Sequence, residues 1–439
     1  MTSYWCPQAW LPTGVADRVR VTVADGVITG VTTNQPPRPD DVRLSEVLLP
    51  GLANGHSHAF HRGLRGRTHG NGGTFWTWRQ QMYALAGRLD PDSYLHLATA
   101  VYAEMALAGY TAVGEFHYLH HDPNGRPYAD PNAMGHALIE AADRAGLRLT
   151  LLDTCYLAGG LTAAGHQPLE QDQIRFGDRT VERWHDRWSQ LRATPKARIG
   201  AAIHSVRAVP AADLAAVASA TTGPLHVHLS EQPAENQAVQ DFYGGSPTQL
   251  LADHGVLGPR TTAIHATHLS ATDIELLAST GTACCLCPTT ERDLADGIGP
   301  ARALLDAGCP LTLGSDQHAV IDPFEEMRGL EMHERLTSRQ RGRCTPVQVM
   351  QAASAAGYAS LGWPSGGTIA AGALADFVTV RTDTVRTVGS RAEQIAYAAS
   401  AADIDQVFVG GVPIVRDGRH RLGPIADLLR SSLSLLEML

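Results

Sequence analysis

Lysine is almost absent from this sequence: Lys196 is the only one among 35 lysine and arginine residues. Chemistry that needs a lysine amine, such as a Schiff base or a lysine-derived bridge between two metal ions, therefore has a single candidate. Long apolar runs are missing as well, and no stretch approaches the roughly 20 residues of a membrane-spanning helix. We therefore expect no membrane partner.

Cysteine is scarce, with seven in 439 residues. An odd number in a long chain fits reduced thiols in the cytoplasm better than a disulfide framework. Three of them, in Cys284-Cys285-Leu286-Cys287, stand among apolar residues, which favours buried thiols over a metal-thiolate site. The first residues also lack the basic start and apolar segment of a signal peptide. We therefore expect a cytoplasmic protein.

Positive charge is in deficit, and the formal net charge is -9. This balance argues against nucleic acid or an anionic membrane as the main partner. A hydrophobic content of 44% and a charged content of 18% are typical of a globular protein with a buried core. We therefore expect no nucleic-acid partner.

Both ends of the chain carry strand patterns. Residues 18–23 and 27–31 alternate on either side of an Asp-Gly turn. Residues 375–380 and 405–409 repeat the pattern near the other end, followed by a hairpin through Gly410-Gly411. We expect residues 1–47 and 366–439 to form one small, discontinuous β-sandwich domain, closed by a helix from Ile425 to Leu439.

Residues 48–365 alternate between apolar strands and longer helical segments, which is typical of a parallel sheet with crossover helices. Because the polar residues described below converge only if the strands close a ring, we expect a (β/α)8 TIM-like barrel rather than an open doubly wound sheet. Its active site would lie at the carboxyl ends of the strands. The eight predicted strands are Leu48–His58, Thr111–Tyr118, Arg148–Tyr156, Arg198–Ser205, Pro224–Ser230, Thr261–His265, Thr282–Pro288 and Pro310–Asp316.

The connection after the first predicted barrel strand is long, from Ala59 to about Asp90. It is rich in glycine and contains Phe75, Trp78 and Tyr83. Loops of this length in a compact domain are usually functional. Two interpretations remain open: a lid over the barrel mouth and a contact between subunits.

Four strand-end side chains form the predicted metal site. His56 and His58 are two residues apart on one strand, so their imidazoles point to the same face. His228 ends the fifth predicted strand and Asp316 ends the eighth. A catalytic zinc takes such ligands and keeps one position for water, although Fe²⁺ or another divalent ion accepts them too. Lys196 precedes the fourth strand, at the wrong end of the barrel for a bridging group, so one ion per chain is expected.

Three side chains near these ligands could move protons. Asp316 can take a proton from water while it contacts the metal. His265, which we predict is not a ligand, can hydrogen-bond the attacking oxygen, and Glu231 can carry a proton to a leaving nitrogen as general acid and base. His268 could replace His265, although it lies past the strand end. His226 is deeper in its strand and is predicted to be structural.

The combination of the His56/His58 pair, His228-x-x-Glu231, His265 and Asp316 resembles the mononuclear deaminase branch of the amidohydrolase superfamily. Within it, the chain is similar to the N-formimidoyl-L-glutamate deiminases. The resemblance implies metal-dependent hydrolysis of N-formimidoyl-L-glutamate to N-formyl-L-glutamate and ammonia in histidine degradation, by a homodimer. The similar segments are Phe75–Arg79 with Met82-Tyr83, Glu115–His121, His204–Arg207, Leu286–Glu291 and Gly366–Val378.

A substrate with two carboxylates needs cationic or multidentate donors. Arg207, at the end of the fourth predicted strand, can bind one carboxylate in a bidentate way. Arg79 is the candidate for the other carboxylate, with Tyr118 as a neutral donor. His204 and His61 complete the predicted substrate-binding set. His61 stands where the resemblance implies glutamine, which leaves the substrate preference open.

Two other functions compete with this interpretation. The first is a deaminase of the same superfamily that acts on an aromatic aminopurine or aminopyrimidine. Paired arginines argue against it, because a neutral ring needs no carboxylate clamps. The second is a non-catalytic assembly protein on the same scaffold. Such a protein would be expected to lose metal ligands, whereas all the expected groups are present.

Overall fold

The computed structural model describes residues 1–44, 47–70 and 73–438. Its strands are β1 (Thr2–Leu11), β2 (Gly14–Ala24), β3 (Val27–Thr32), β4 (Val42–Arg43), β5 (Val47–Pro50), β6 (Leu52–Ser57), β7 (Tyr110–His117), β8 (Arg148–Cys155), β9 (Gly160–Thr162), β10 (Gly165–Gln167), β11 (Ala197–Ile203), β12 (Leu225–Leu229), β13 (Thr261–His265), β14 (Ala283–Leu286), β15 (Leu311–Leu313), β16 (Phe377–Val380), β17 (Ile404–Val409), β18 (Val412–Arg416) and β19 (Arg419–His420).

The helices alternate with the strands through the middle of the chain. None of those within the described ranges is both long and apolar enough to cross a membrane. They are α1 (Phe75–Ala86), α2 (Pro91–Leu107), α3 (Ala133–Ala145), α4 (Val181–Trp188), α5 (Ala211–Ala220), α6 (Pro233–Tyr243), α7 (Pro247–Asp253), α8 (Ala271–Thr280), α9 (Pro288–Asp293), α10 (Ala301–Ala307), α11 (Pro323–Ser338), α12 (Pro346–Ala353), α13 (Ala355–Ser360) and α14 (Ile425–Leu435).

Eight parallel strands form the central sheet, in the order β6-β7-β8-β11-β12-β13-β14-β15. A parallel bridge between Ser57, at the end of β6, and Asp316, after β15, joins the two edges of this sheet. Helices follow the strands, as crossover connections between parallel neighbours require. The predicted (β/α)8 barrel is therefore confirmed, and each of the eight predicted strands overlaps an observed one.

The first predicted strand, residues 48–58, is wrong in one respect, because it is two strands. β5 pairs with β1 and β16 in the small sheet, whereas β6 begins the barrel. The break falls at Pro50-Gly51. A side chain at Gly51 would place its Cβ 2.6 Å from the Thr111 hydroxyl and 3.0 Å from the Asp376 carbonyl oxygen. Only glycine fits where the chain passes between the two sheets.

Strands from both ends of the chain share a nine-stranded sheet, in the order β19-β18-β17-β16-β5-β1-β2-β3, with β4 beside β1. Tyr4 packs edge-on against Phe377 and Phe408, with both ring centroids 5.3 Å away. The discontinuous β domain predicted from the two termini is therefore confirmed as a feature of the fold. The closing helix ends at Leu435, and its predicted last residue, Leu439, lies outside the described residues.

The connection that was predicted as one long loop contains two helical segments within its described residues, 59–70 and 73–90. Ala59–Leu64 is a 3-10 helix, and residues 75–86 form α1. A capping box between Thr74 and Thr77 starts α1, because each side chain bonds the backbone N–H of the other residue. Phe75, Trp78 and Met82, at helical spacing, form its buried face. This face lines the pocket described below, in the position that a lid would occupy.

A buried ion pair joins the barrel to the small sheet. The Arg148 guanidinium, on β8, donates from Nε to Asp376 Oδ2 at 2.5 Å and from Nη2 to Oδ1 at 3.0 Å. The Tyr358 hydroxyl and the Gly410 N–H also donate to this carboxylate, at 2.8 and 2.6 Å. Donors from several segments therefore satisfy the Asp376 carboxylate. The contact between the barrel and the small sheet depends on Arg148, which supplies the positive charge.

We predict that Arg148→Met lowers the free energy of unfolding by about 3–5 kcal/mol, because it leaves a buried carboxylate without its cation. Urea denaturation measures this loss. Arg144→Met is the control, since Arg144 forms an exposed pair with Glu140, and exposed pairs contribute about 0–1 kcal/mol. Equal losses of unfolding free energy in the two variants would contradict the proposed importance of the Arg148–Asp376 ion pair.

Candidate active site

Side chains from three strand ends meet at the carboxyl mouth of the barrel. His56 and His58 come from the end of β6, His228 from β12 and Asp316 from the segment after β15. Asp316 Oδ1 lies 3.4 Å from His56 Nε2 and 3.5 Å from His58 Nε2. His228 Nε2 lies 3.1 Å from His56 Nε2. The four predicted metal ligands therefore form one buried cluster.

Backbone carbonyls fix the tautomers of two of these imidazoles. His58 Nδ1 bonds the Phe116 carbonyl at 2.9 Å, and His228 Nδ1 bonds the His204 carbonyl at 2.9 Å. A carbonyl oxygen only accepts, so each Nδ1 carries the proton and each Nε2 offers a lone pair. Burial lowers the pKa of His58 to about 3. Neutral imidazoles with inward lone pairs are the form that binds a metal, so the residues fit a divalent ion.

The carboxylate of Asp316 completes the cluster in its ionised form. Burial alone would raise its pKa, but the hydrogen bond with His56 and the neighbouring imidazoles lower that pKa well below its usual value. The backbone φ of Asp316 is +43°, and that of His265 is +68°. Left-handed backbone at non-glycine residues costs energy and clusters at functional sites. Both strand ends are therefore strained where they present these side chains.

Three carboxylates surround His265. Its Nε2 lies 3.7 Å from Glu231 Oε1 and 3.8 Å from Asp316 Oδ2, and its Nδ1 lies 3.7 Å from Glu291 Oε1. Burial alone would lower the pKa of His265, but these carboxylates raise it well above its usual value. Burial also raises the pKa of Glu231. His265 and Glu231 can therefore hold protons beside the ligand cluster.

One pocket gathers almost all the predicted site residues. Ten of the eleven line it, and the other, His56, is fully buried. Aromatic and apolar side chains form another part of the pocket wall. From the sequence, a role was predicted only for those in the long connection after the first barrel strand. The lining residues are His58, His61, Phe75, Trp78, Arg79, Met82, Tyr83, Tyr118, Tyr156, Phe176, His204, Arg207, His228, Glu231, His265, Leu294 and Asp316.

The two predicted carboxylate-binding arginines both reach this pocket, but they are held differently. Arg79 lies over the rings of Trp76 and Tyr83, with its guanidinium carbon 5.0 and 5.3 Å from their centroids. Arg207 instead faces carboxylates, with Nη2 3.9 Å from Glu231 Oε2 and Nε 3.5 Å from Glu235 Oε2. Aromatic faces leave the charge of Arg79 available to a ligand.

The remaining predicted substrate-binding residues line the pocket next to the predicted ligand histidines. His61 Nε2 is 3.0 Å from the Tyr118 hydroxyl, and burial lowers the pKa of His61 well below its usual value. His204 Nδ1 is 3.3 Å from the Ser205 hydroxyl. These groups are neutral hydrogen-bonding partners. Together, His61, Tyr118 and His204 form what we call the polar strip of the pocket.

The structure also places the residues that the sequence left as alternatives. His226 Nε2 is 3.1 Å from the Ser360 carbonyl, and His268 Nε2 is 2.7 Å from the Asp296 carbonyl. Neither lines the pocket. The seven cysteines are free and buried, and burial was predicted for three of them, Cys284, Cys285 and Cys287. Lys196 directly precedes β11 and so lies at the amino end of the barrel.

Sequence reasoning missed three polar residues of this region. Glu291 contacts His265 and accepts a hydrogen bond from the Cys287 N–H at 2.7 Å. Glu235 contacts Arg207, and Gln173 donates to the hydroxyls of two pocket tyrosines, Tyr83 and Tyr156. Glu291 belongs to a segment that carried the family resemblance, which was a usable signal. Nothing in the spacing of Glu235 or Gln173 pointed to the pocket.

A (β/α)8 barrel whose strand ends gather imidazoles, a carboxylate and proton-holding groups has the arrangement of a metal-dependent hydrolase. Residues 47–414 match the amidohydrolase family, and the chain belongs to it. The chain is 36% identical to the formimidoylglutamate deiminase of Pseudomonas aeruginosa, over 96% of each chain. It is 29% identical to a 5-methylthioadenosine/S-adenosylhomocysteine deaminase of Nitratidesulfovibrio vulgaris, over 90% of this chain and 87% of that one.

Solved structures give the same fold. An amidohydrolase from Brucella melitensis superposes with a TM-score of 0.91 at 33% identity and covers all of both chains. An adenosine deaminase from Xanthomonas campestris with bound zinc superposes with a TM-score of 0.83 at 22% identity, over 99% of this chain and 98% of that one. The sequence-based assignment to the amidohydrolase superfamily is therefore confirmed.

We predict that His228→Asn lowers the content of bound divalent metal at least about tenfold, because it removes an inward imidazole lone pair. Metal analysis of the purified protein measures this. His226→Asn is the matched control, since it changes the same residue type on the same strand but a side chain bonded to the Ser360 carbonyl. Metal loss in the control, or retention in His228→Asn, would contradict the ligand assignment.

Proposed function

We propose that this protein hydrolyses the formimidoyl C–N bond of N-formimidoyl-L-glutamate and releases ammonia and N-formyl-L-glutamate, a reaction of histidine degradation. The observation that carries the proposal is the presence of two arginines, Arg79 and Arg207, in the pocket of the metal-ligand cluster. Two cations match the two carboxylates of this substrate. The similarity to the Pseudomonas deiminase along nearly the whole chain supports the same activity.

Three side chains of the pocket would move the protons. When bound by His56, His58, His228 and Asp316, a divalent ion lowers the pKa of water and so supplies a nucleophile. Asp316 would accept the proton of the attacking water. Glu231 would deliver a proton to the nitrogen that leaves as ammonia, and His265 would hold the attacking oxygen by a hydrogen bond. The separations of 3.7 Å between His265 and Glu231 and of 3.8 Å between His265 and Asp316 support these roles.

The substrate would lie along the polar strip of the pocket. Arg207 would bind one carboxylate with its two terminal nitrogens, and Arg79 would bind the other. The Tyr118 hydroxyl, His204 and His61 would donate or accept hydrogen bonds to the backbone and formimidoyl groups of the substrate. His61 is neutral because of its burial, so it can take the hydrogen-bonding role that the family resemblance assigns to a glutamine.

Further assignments belong to the same proposal. We propose zinc, one ion per chain, and the zinc-bound deaminase with the same fold supports this choice. We propose a homodimer in the cytoplasm, an environment that suits seven free cysteines. We also propose residues 48–365 as the catalytic domain, although residues 48–50 belong to β5 of the small sheet, and residues 1–47 with 366–439 as the small domain. The negative net charge supports the absence of a nucleic-acid partner.

The first testable consequence concerns substrate choice. We expect ammonia release from N-formimidoyl-L-glutamate to exceed that from adenosine, guanine and 5-methylthioadenosine by at least about a hundredfold in kcat/KM, because a neutral ring leaves both arginines without partners. A coupled ammonia assay on the zinc-loaded enzyme measures this. Activity confined to the purines would show that the alternative, an aminopurine deaminase, is correct.

The second consequence concerns the carboxylate clamp. We expect Arg207→Ala to raise KM for N-formimidoyl-L-glutamate at least about tenfold, since it removes a bidentate charged contact, with the metal content kept. Steady-state kinetics and metal analysis together measure this. Arg183→Ala, at an exposed arginine, serves as the control. Loss of metal in Arg207→Ala would mean that Arg207 supports the ligand cluster instead.

A further inference from the structure

Glu235 is a buried carboxylate just outside the pocket. It stands in the first turn of α6 and is 1% exposed. It is not among the residues that line the pocket. Its Oε2 lies 3.5 Å from Nε of Arg207. A buried carboxylate rarely persists without a compensating charge, and Arg207 provides that charge from the side of the pocket wall.

Arg207 lies between two carboxylates that contact different edges of its guanidinium. Glu235 is near Nε, whereas Glu231 is 3.9 Å from Nη2. Burial raises the pKa of Glu235, and the positive charge of Arg207 acts in the opposite direction. Arg207 lines the pocket and Glu235 lies at its Nε edge, so the outer edge, with the terminal nitrogens, faces the more distant Glu231 instead. That outer edge is the one that binds a carboxylate in a bidentate way.

The backbone around Arg207 does not by itself fix this orientation. Residues 206–208 form a turn after β11, outside any helix or strand. An arginine side chain has many rotamers, and holding it in one of them costs conformational entropy. Without Glu235, the nearest carboxylate to the guanidinium would be Glu231, the proposed acid and base. Arg207 paired with Glu231 would leave the substrate carboxylate unbound.

We propose that Glu235 is a positioning residue for substrate carboxylate recognition: it holds the Nε edge of Arg207 and keeps the guanidinium off Glu231. The inference rests on the proposed function for its kinetic consequence, but the Arg207–Glu235 interaction itself does not. Glu235 would touch neither the substrate nor the metal. Glu235 would affect the reaction only by fixing the position of Arg207.

The kinetic test is Glu235→Gln, which keeps the shape and removes the charge. We expect KM for N-formimidoyl-L-glutamate to rise at least about fivefold while kcat falls less than about twofold, because the lost contact serves binding rather than the chemical step. The metal content should match the wild type. Asp241→Asn is the control: it makes the same change at an exposed carboxylate on the same helix. An unchanged KM, or a loss confined to kcat, would overturn the proposal.

A second measurement needs no substrate. Urea unfolding of Arg207→Met, Glu235→Gln and the double variant forms a cycle that isolates the pairwise interaction. Arg207→Met leaves a buried carboxylate unpaired, so we expect the double variant to unfold at a higher urea concentration than Arg207→Met alone. Additive effects would show that Glu235 only stabilises the start of α6 and would overturn the proposal.

The two measurements separate this inference from the proposed function. If the wild type releases no ammonia from N-formimidoyl-L-glutamate, the proposed function fails, while the cycle still reports whether Glu235 holds Arg207. If the wild type is active and the cycle is additive, the positioning role fails and the proposed function stands. If Glu235→Gln alone does not fold, the double variant against Arg207→Met still decides the outcome.

Discussion

Two backbone hydrogen bonds close the barrel at its carboxyl mouth. The His58 N–H donates to the Asp316 carbonyl at 3.1 Å, and the Asp316 N–H donates to the His56 carbonyl at 3.0 Å. The approach is so close that a Cβ on Gly314 would lie 2.9 Å from the His56 backbone nitrogen and oxygen. Closure of the ring therefore also brings together His56, His58 and Asp316, three of the four predicted metal ligands.

Burial at this junction determines the protonation of the site. Desolvation lowers the pKa values of His58 and His228, so these ligands are neutral and need no proton release before they bind a metal. The same desolvation raises the pKa of Glu231, which keeps a proton near the leaving group. One physical effect thus favours both the neutral imidazoles that a cation would need as ligands and the protonated form of Glu231, whose ordinary pKa would leave it ionised at neutral pH.

The sequence predicted the barrel and its site well for a physical reason. Buried parallel strands appear in a sequence as short apolar runs, and the functional side chains of a barrel lie where those runs end. The same pattern in the sequence therefore predicts both the strand and the site. The prediction failed where the determinant was a three-dimensional contact. Gly51 divides a continuous apolar run because Asp376, far along the chain, lies against it. Glu235 is an ordinary helical glutamate until the fold brings Arg207 beside it.

The two arginines of the pocket show how the fold keeps positive charge usable beside carboxylates. The Arg79 guanidinium lies over the aromatic faces of Trp76 and Tyr83, which do not neutralise its positive charge. Arg207 has the Glu235 carboxylate 3.5 Å from its Nε, and the Glu231 carboxylate lies farther away, 3.9 Å from its Nη2. A substrate that brings two negative charges close to Glu231 and Asp316 would otherwise be repelled at the reacting centre. Under the proposed function, the positive charges of Arg79 and Arg207 in the same pocket therefore offset that repulsion.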